Sequence, residues 1–244
     1  MIPEPSARTL DRVTTERGEL VLRERDGAFE VISNGVFLMD TRAGASERLL
    51  VSAALETLPA GGSLLIGGLG VGFSLAEAAA SDRPGRIVVV EIEPDVVRWH
   101  RGPLARFSAG ALDDPRVEVV AADLVERLRR EPERFDAICL DVDNGPDWTV
   151  FDGNRALYSP GGLRLLAARL RPGGVLAVWS ASEPTGFADR LAGLGAVEVR
   201  RVAMPRGEPD VVYLLRVAGH PAHVSAARGS APAGRRPGSC STGA

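Results

Sequence analysis

The sequence predicts an α/β fold: a doubly wound, mostly parallel sheet of seven strands behind a small antiparallel β-meander. Three observations predict it. Short apolar runs alternate with stretches of helical spacing from residue 46 to 218, the pattern of strands covered by helices on both faces. One run, Leu64-Leu65-Ile66, enters a glycine cluster at Gly67, Gly68, Gly70 and Gly72 and leaves it as the helix-like stretch Phe73–Ala80. Strand, glycine turn and helix in that order bind a nucleoside at the end of a parallel sheet. Finally, three later runs each end in an acid, at Glu91, Asp123 and Asp141.

Taken in order, residues 1–18 are polar and read as a flexible N-terminus. Residues 19–45 read as the meander. Glu19–Arg25 alternates polar and apolar, Asp26-Gly27 is a hairpin signal, Phe29–Ser33 is a second run, Asn34-Gly35 a second turn and Val36–Asp40 a third run. So small a sheet is marginal alone and must pack on the main domain or on another subunit. Residues 46–218 form a Rossmann-like nucleoside-binding catalytic domain. Ser46–Leu58 has helical spacing, with Leu49, Leu50, Ala53, Ala54 and Leu58 on one side, and Pro59-Ala60-Gly61-Gly62 stops it. Strands then follow at Ser63–Ile66, Arg86–Val90, Val117–Val120, Phe135–Leu140 and Gly174–Ser180. The helices between and after them are Phe73–Ala80, Pro94–Arg101, Leu124–Arg130, Leu163–Leu170 and Phe187–Leu194. Val197–Val202 and Val211–Val217 close the sheet as an antiparallel pair. Residues 219–244 are Ala, Gly, Pro, Ser and Arg without period and read as a disordered tail.

Composition narrows the chemistry. With 45% hydrophobic and 25% charged residues and a net charge of -3, the chain is an ordinary globular protein. Its interspersed charges lack the concentrated basic face of a nucleic-acid binder. No apolar run approaches the roughly 20 residues that cross a bilayer. The N-terminus has no basic segment followed by an apolar one, so no secretory signal is expected. Cys139 and Cys240 supply neither a disulfide framework nor metal spacing. A cytoplasmic protein without nucleic-acid, membrane or metal partners is the expectation. All 29 basic residues are Arg. The absence of Lys excludes Schiff-base and pyridoxal phosphate catalysis and a P-loop. Gln is absent too, and His100, His220 and His223 lie away from the inferred strand ends.

In an open α/β sheet, ligands bind beyond the carboxyl ends of the strands. Glu91 follows Gly72 by 19 residues, near the spacing of an acid that accepts from ribose hydroxyls. Each acid alone has a structural reading: Glu91 as a helix-start acid, Asp123 as an N-cap, Asp141 as a turn acid. Together, beside one glycine turn, they describe a nucleoside site. Asp123, Asp141 and Asp143 make it acidic, which suits a cationic ligand such as S-adenosylmethionine better than a pyrophosphate.

At this point a family resemblance can be read. The meander, Leu-Ile-Gly-Gly-x-Gly at 65–70, Val-Glu-Ile-Glu-Pro at 90–94, Asp-Pro-Arg-Val at 114–117, Ala-Asp at 122–123, Phe-Asp-Ala-Ile-x-Leu-Asp at 135–141, Leu-Tyr-Ser-Pro at 157–160 and Leu-Arg-Pro-Gly-Gly-Val-Leu at 170–176 carry it. The chain resembles spermidine synthase-like proteins, the polyamine aminopropyltransferases, which share the class I S-adenosylmethionine-dependent methyltransferase fold. The resemblance implies that Glu91 holds the ribose, Asp123 the adenine, and that Asp141 orients or deprotonates the attacking amine. It also implies a dimer contact through the meander and the helix bearing Glu47. Departures stand beside it. Gly70 occupies the place of an Asp that grips the amine of decarboxylated S-adenosylmethionine in that family, which leaves the carboxylated donor unexcluded. Ala45-Ser46 replaces a Tyr-His pair, although Glu47 keeps the following acid. Asp141-Val142-Asp143-Asn144 replaces Asp-Ser-Ser-Asp-Pro, so the second carboxylate is shifted or lost.

The expected activity is transfer from an adenosyl sulfonium donor, S-adenosylmethionine or its decarboxylated form, to a small amine or other nucleophile. Asp141 and Asp143 are the candidate catalytic acids. Gly67, Gly68, Gly70, Gly72, Glu91 and Asp123 are the candidate donor-binding residues. Glu47, Trp148 and Tyr158 are the candidate acceptor-binding residues, with Phe151 in the same loop. Trp148 reads equally as a packing residue or as a cation-binding face. Methyl transfer, cyclisation of S-adenosylmethionine, and a non-catalytic nucleoside-binding module are the competing readings.

Overall fold

The computed structural model describes residues 7–205 and 207–219. The expected tail, His220, His223 and Cys240 fall outside the described residues, apart from Gly219. An N-terminal sheet is built from β1 (Arg8–Thr15), β2 (Gly18–Arg25), β3 (Ala28–Ser33) and β4 (Val36–Asp40), antiparallel and in chain order. At the two predicted turns Asp26 and Gly27 (φ 53° and 76°) and Asn34 and Gly35 (φ 49° and 79°) hold left-handed backbone, the geometry these dipeptides favour in hairpins.

Within the segment 1–18 expected to be flexible, Arg8–Thr15 forms a strand, while residues 1–6 lie outside the described residues. Arg8–Thr15 is an edge strand whose polar character belongs to its outer face. Leu10 and Val13 turn inward onto the core, while Arg8 and Arg12 pair with Glu24 and Glu19 across the hairpin. The meander finds its partner within the chain. Leu20, Leu22 and Val31 join the buried cluster that contains Leu50, Ile66 and Trp99. Trp99 Nε1 donates to Asp11 at 2.8 Å.

The main sheet has seven strands, in the order β10-β11-β9-β8-β5-β6-β7. These are β5 (Gly62–Gly67), β6 (Pro84–Glu91), β7 (Val117–Ala121), β8 (Phe135–Leu140), β9 (Leu170–Ser180), β10 (Ala196–Val202) and β11 (Asp210–Arg216). The first five are parallel. β11 enters antiparallel between β9 and β10. Helices α1 (Ala45–Leu55), α2 (Phe73–Ala80) and α3 (Pro94–Trp99) lie on one face. Helices α4 (Leu124–Arg130), α5 (Arg155–Tyr158), α6 (Pro160–Ala168) and α7 (Phe187–Ala192) lie on the other. Alternation within β5 explains its unbroken apolar sequence: Leu64 and Ile66 join the first core, Leu65 the second. No described helix is long and apolar enough to cross a membrane.

Some boundaries move for local reasons. α1 stops at Leu55 rather than Leu58. α6 starts at Pro160, three residues early, because Ser159 caps it by accepting from Gly162 N at 3.1 Å. The one-turn α5 has no periodicity to read. The Asp-Pro-Arg-Val element proves to be a structural clamp. Arg116 pairs with Asp114 and donates to the carbonyls of Ala79, Ser81 and Pro84, tying the end of α2 to the start of β6.

Candidate functional site

The strand order reverses between β5 and β8, and ligand crevices in open α/β sheets form at such a switch point. β5 ends in the glycine turn and β8 ends at Asp141, whose backbone N donates to Gly67 O at 2.9 Å. The loop after β8 and the turn after β5 therefore meet. At Gly68 the φ is +88°, and a Cβ would stand 2.2 Å from the carbonyl oxygen of Asp141. Only glycine fits there. Gly70 (φ +54°) is roomier: its Cβ would meet Met39 Sδ at 3.5 Å and Asp141 Oδ2 at 4.0 Å.

A cavity of about 340 Å3 opens at this switch point. It is roofed by the meander through Leu20, Phe37 and Met39, and walled by the loop between β8 and α5 through Trp148 and Phe151. Of the sequence-predicted residues, Gly68, Gly70, Glu47, Glu91, Asp141, Asp143 and Trp148 line it together. Gly67, Gly72, Asp123 and Tyr158 are not brought into its lining. Gly67 closes β5 against Leu124, and Gly72 starts α2 against His100. Asp123 accepts from Glu126 N at 2.9 Å and caps α4. Tyr158 is buried among Phe187 and its neighbours and donates to Val142 O at 2.8 Å.

Burial sets the electrostatics. Asp141 sits in the interior, accepts from Ser74 Oγ at 2.7 Å, and has its carboxyl pushed up to about 7, by burial first and by the charges of Glu47 and Glu91 after it. Glu91 is buried and raised, mainly by desolvation. Its Oε2 accepts from Leu69 N at 2.9 Å and its Oε1 from Glu93 N at 2.8 Å, which fixes the carboxylate at the end of β6. Glu47 is likewise raised by burial. Asp143, at φ +54°, accepts from Asn154 Nδ2 at 2.8 Å and is raised by burial. Trp148 is 57% exposed at the cavity mouth.

Several lining residues escaped sequence reasoning. Asp210 opens β11 and Trp179 lies on β9, both far in sequence from the glycine turn. Glu93 was visible only as part of the Val-Glu-Ile-Glu-Pro run. Its Oε1 accepts from Arg17 Nε at 2.6 Å, while its buried Oε2 has no partner. Asn144 Nδ2 is also buried without a partner in this cavity, and the buried Trp179 Nε1 faces the carboxyl of Asp210. His100 does not stand apart as expected. It is buried, burial lowers its basicity, and its Nε2–H donates to Gly70 O at 3.0 Å, bracing the turn. Its place after α3 gave no such signal. Counted over the described residues, the lining holds seven carboxyl side chains and no Arg, Lys or His.

Comparisons with known proteins converge on one family. A polyamine aminopropyltransferase 2 of Pseudomonas aeruginosa is 40% identical over 119 residues, 47% of this chain and 32% of that protein. A polyamine aminopropyltransferase of Pyrobaculum neutrophilum is 35% identical over 130 residues, 52% of this chain and 44% of that protein. The matched stretch thus spans less than half the length of these curated relatives. A crystal structure of spermidine synthase in complex with the transition state analogue AdoDATO superposes with a TM-score of 0.72 at 20% identity, over 86% of this chain and 73% of that one, and shares the fold. The model of the spermine/spermidine synthase domain matches residues 45–184, from the start of α1 to just past β9. With its glycine turn, its strand-end acids and more than half its length inside that match, the chain belongs to the spermine/spermidine synthase domain family.

Proposed function

We propose that this chain is a transferase that moves an aminopropyl group from decarboxylated S-adenosylmethionine to a small amine. The observation that carries the reading is the acidic lining of the cavity: among the described residues it holds seven carboxyls, two of them (Glu93 and Asp40) paired with arginines outside the lining, and no basic side chain. Such a lining favours two cations, a sulfonium and an ammonium, and disfavours a ligand bearing a carboxylate. That argument stands in for the acid missing at Gly70. The curated relatives named above are polyamine aminopropyltransferases, in line with this choice.

The donor supplies an electrophilic carbon on sulfur, so the protein needs mainly to align the nucleophile and remove its proton. Glu91, pinned by two backbone amides, offers its remaining lone pairs to ribose hydroxyls. Gly68 and Gly70 let the turn approach the nucleoside. Asp141 takes the proton from the ammonium, freeing the nitrogen lone pair for in-line attack; the new C–N bond forms as the C–S bond breaks, and the sulfur leaves as a neutral thioether. A carboxyl near 7 is matched to that task at neutral pH. Trp148 at the mouth presents an aromatic face to the incoming cation.

Gly70 favours a second reading, methyl transfer from or cyclisation of carboxylated S-adenosylmethionine. Calorimetry with the two donors on the wild type and on Gly70→Asp separates them. Under the proposed reading the decarboxylated donor binds about tenfold or more tightly, a difference of roughly 1.4 kcal/mol, and Gly70→Asp widens the gap. Equal or tighter binding of the carboxylated donor overturns it. Donor binding without turnover over a panel of amines assigns the chain to a non-catalytic module.

A further inference from the structure

The start of β11 contributes an acid that neither the matched family segment, which ends at residue 184, nor the sequence reading includes. Asp210 is 7% exposed and Ser46 is 2% exposed. Ser46 Oγ lies 2.7 Å from Asp210 Oδ2 and 2.8 Å from Glu47 Oε2. A hydroxyl has one proton to donate. The second short contact therefore needs a proton on one of the two carboxyls, which then donates to the serine oxygen. The charged groups around the unit agree with this. Asp141 adds a negative charge on the side of Glu47. Arg48, the next residue of α1, stacks on Phe73 at 4.3 Å and donates to Gly44 O at 3.1 Å. Arg206 lies outside the described residues. Burial raises both Glu47 and Asp210, outweighing Arg48, which favours ionised Glu47, and the Trp179 indole, which favours ionised Asp210.

The same cavity shows an independent sign of a ligand. Asn144, 7% exposed, lines it with an unpartnered Nδ2, and Glu93, 3% exposed, lines it with an unpartnered Oε2. Buried polar atoms without partners cost stability unless something pairs with them.

We propose that Asp210 is a substrate-binding residue, and that the Glu47–Ser46–Asp210 unit holds one proton in the free protein and releases it to solvent when an ammonium group of the amine substrate docks against it. This rests on the amine-transferase reading above. When the cation binds, the carboxylic O–H bond breaks, its proton goes to buffer, Ser46 keeps its own proton for one carboxylate, and the ammonium donates to the other.

The test is calorimetry of the full chain with 1,4-diaminobutane at pH 7 in buffers of differing ionisation enthalpy, which counts protons released per ligand bound. Asp141 titrates nearby and contributes in every variant, so the readout is wild type minus Asp210→Asn. In that variant the amide N–H replaces the stored proton and has none to lose. The expected difference is about one proton, with binding weakened tenfold or more in the variant. Donor binding measured alongside shows that the variant is folded. Diamine binding by the wild type with no proton release overturns the proposal and leaves the transferase reading standing, as does an unchanged affinity and proton count in Asp210→Asn. Absence of amine binding and turnover in the wild type overturns both.

Discussion

Replacing Asp141 by Asn should make the protein more stable at pH 8 while abolishing its proposed chemistry. Asp141 is half-buried at the floor of the cavity, and its carboxyl is pushed up to about 7 instead of 3.8. The upward shift means that the folded state binds the proton more tightly than the unfolded chain. Stability from this group is complete below pH ~4 and is lost as pH rises through about 7. A carboxyl moved from 3.8 to about 7 corresponds to a cost on the order of 4 kcal/mol above pH 7. Part of that cost is the repulsion from Glu47 and Glu91, which relaxes with any of the three. Asparagine keeps the shape, and its Oδ1 still accepts from Ser74, but it carries no charge to desolvate. Urea unfolding of both proteins from pH 5 to pH 8 checks this. The stability margin of Asp141→Asn over wild type should grow with pH and level off above about 7. A margin that stays flat over that range, or a wild type more stable at pH 8, refutes the claim that the fold holds this carboxylate ionised at a cost.

Three further outcomes follow from the same structure. With the transfer reaction in hand, kcat/KM should rise through pH 7 as Asp141 ionises, and Asp141→Asn should lose that limb together with roughly 10²–10⁴-fold of rate. Gly68→Ala places a methyl 2.2 Å from Asp141 O at φ +88°; the backbone strain alone costs about 1–3 kcal/mol, and donor binding by calorimetry should fall with it. Arg17→Ala leaves Glu93 buried beside Ile92 O without its cation; since Arg17 is partly exposed, a loss of roughly 2–3 kcal/mol in urea unfolding is expected, below the range for a fully buried pair.

The reading of the sequence went furthest where local chemistry leaves a local mark. Period and glycine placement located β5, β6, β8 and their helices, because a strand buried on both faces is largely apolar; the edge strand β7 was read from Val117, Val119 and Val120 alone. The Asp-Gly and Asn-Gly turns announced their hairpins. β1 escaped because an edge strand shows water a charged face, and its partner residues, Glu19 and Glu24, lie across a turn. The four-residue α5 is too short for any period.

The acids divide along the same line. Glu91 and Asp141 were legible as strand ends beside a glycine turn, since the parallel topology sends all such ends to one edge. Whether an acid at that edge turns toward the crevice depends on the chain that follows. Asp123 is drawn to the free amides of α4, and Tyr158 sinks against Phe187. Asp210, Trp179 and His100 reach the site only through strand order and packing. β11 inserts next to β9 after a long excursion in sequence, and that insertion brings Asp210 to Ser46 across 164 residues. By itself the sequence determined the fold class, the sheet edge that carries the site and the acidic character of the site, because each is written in patterns a few residues long. Only the tertiary structure decided which carboxyls are buried together and so share protons, because desolvation and charge repulsion act through space rather than along the chain.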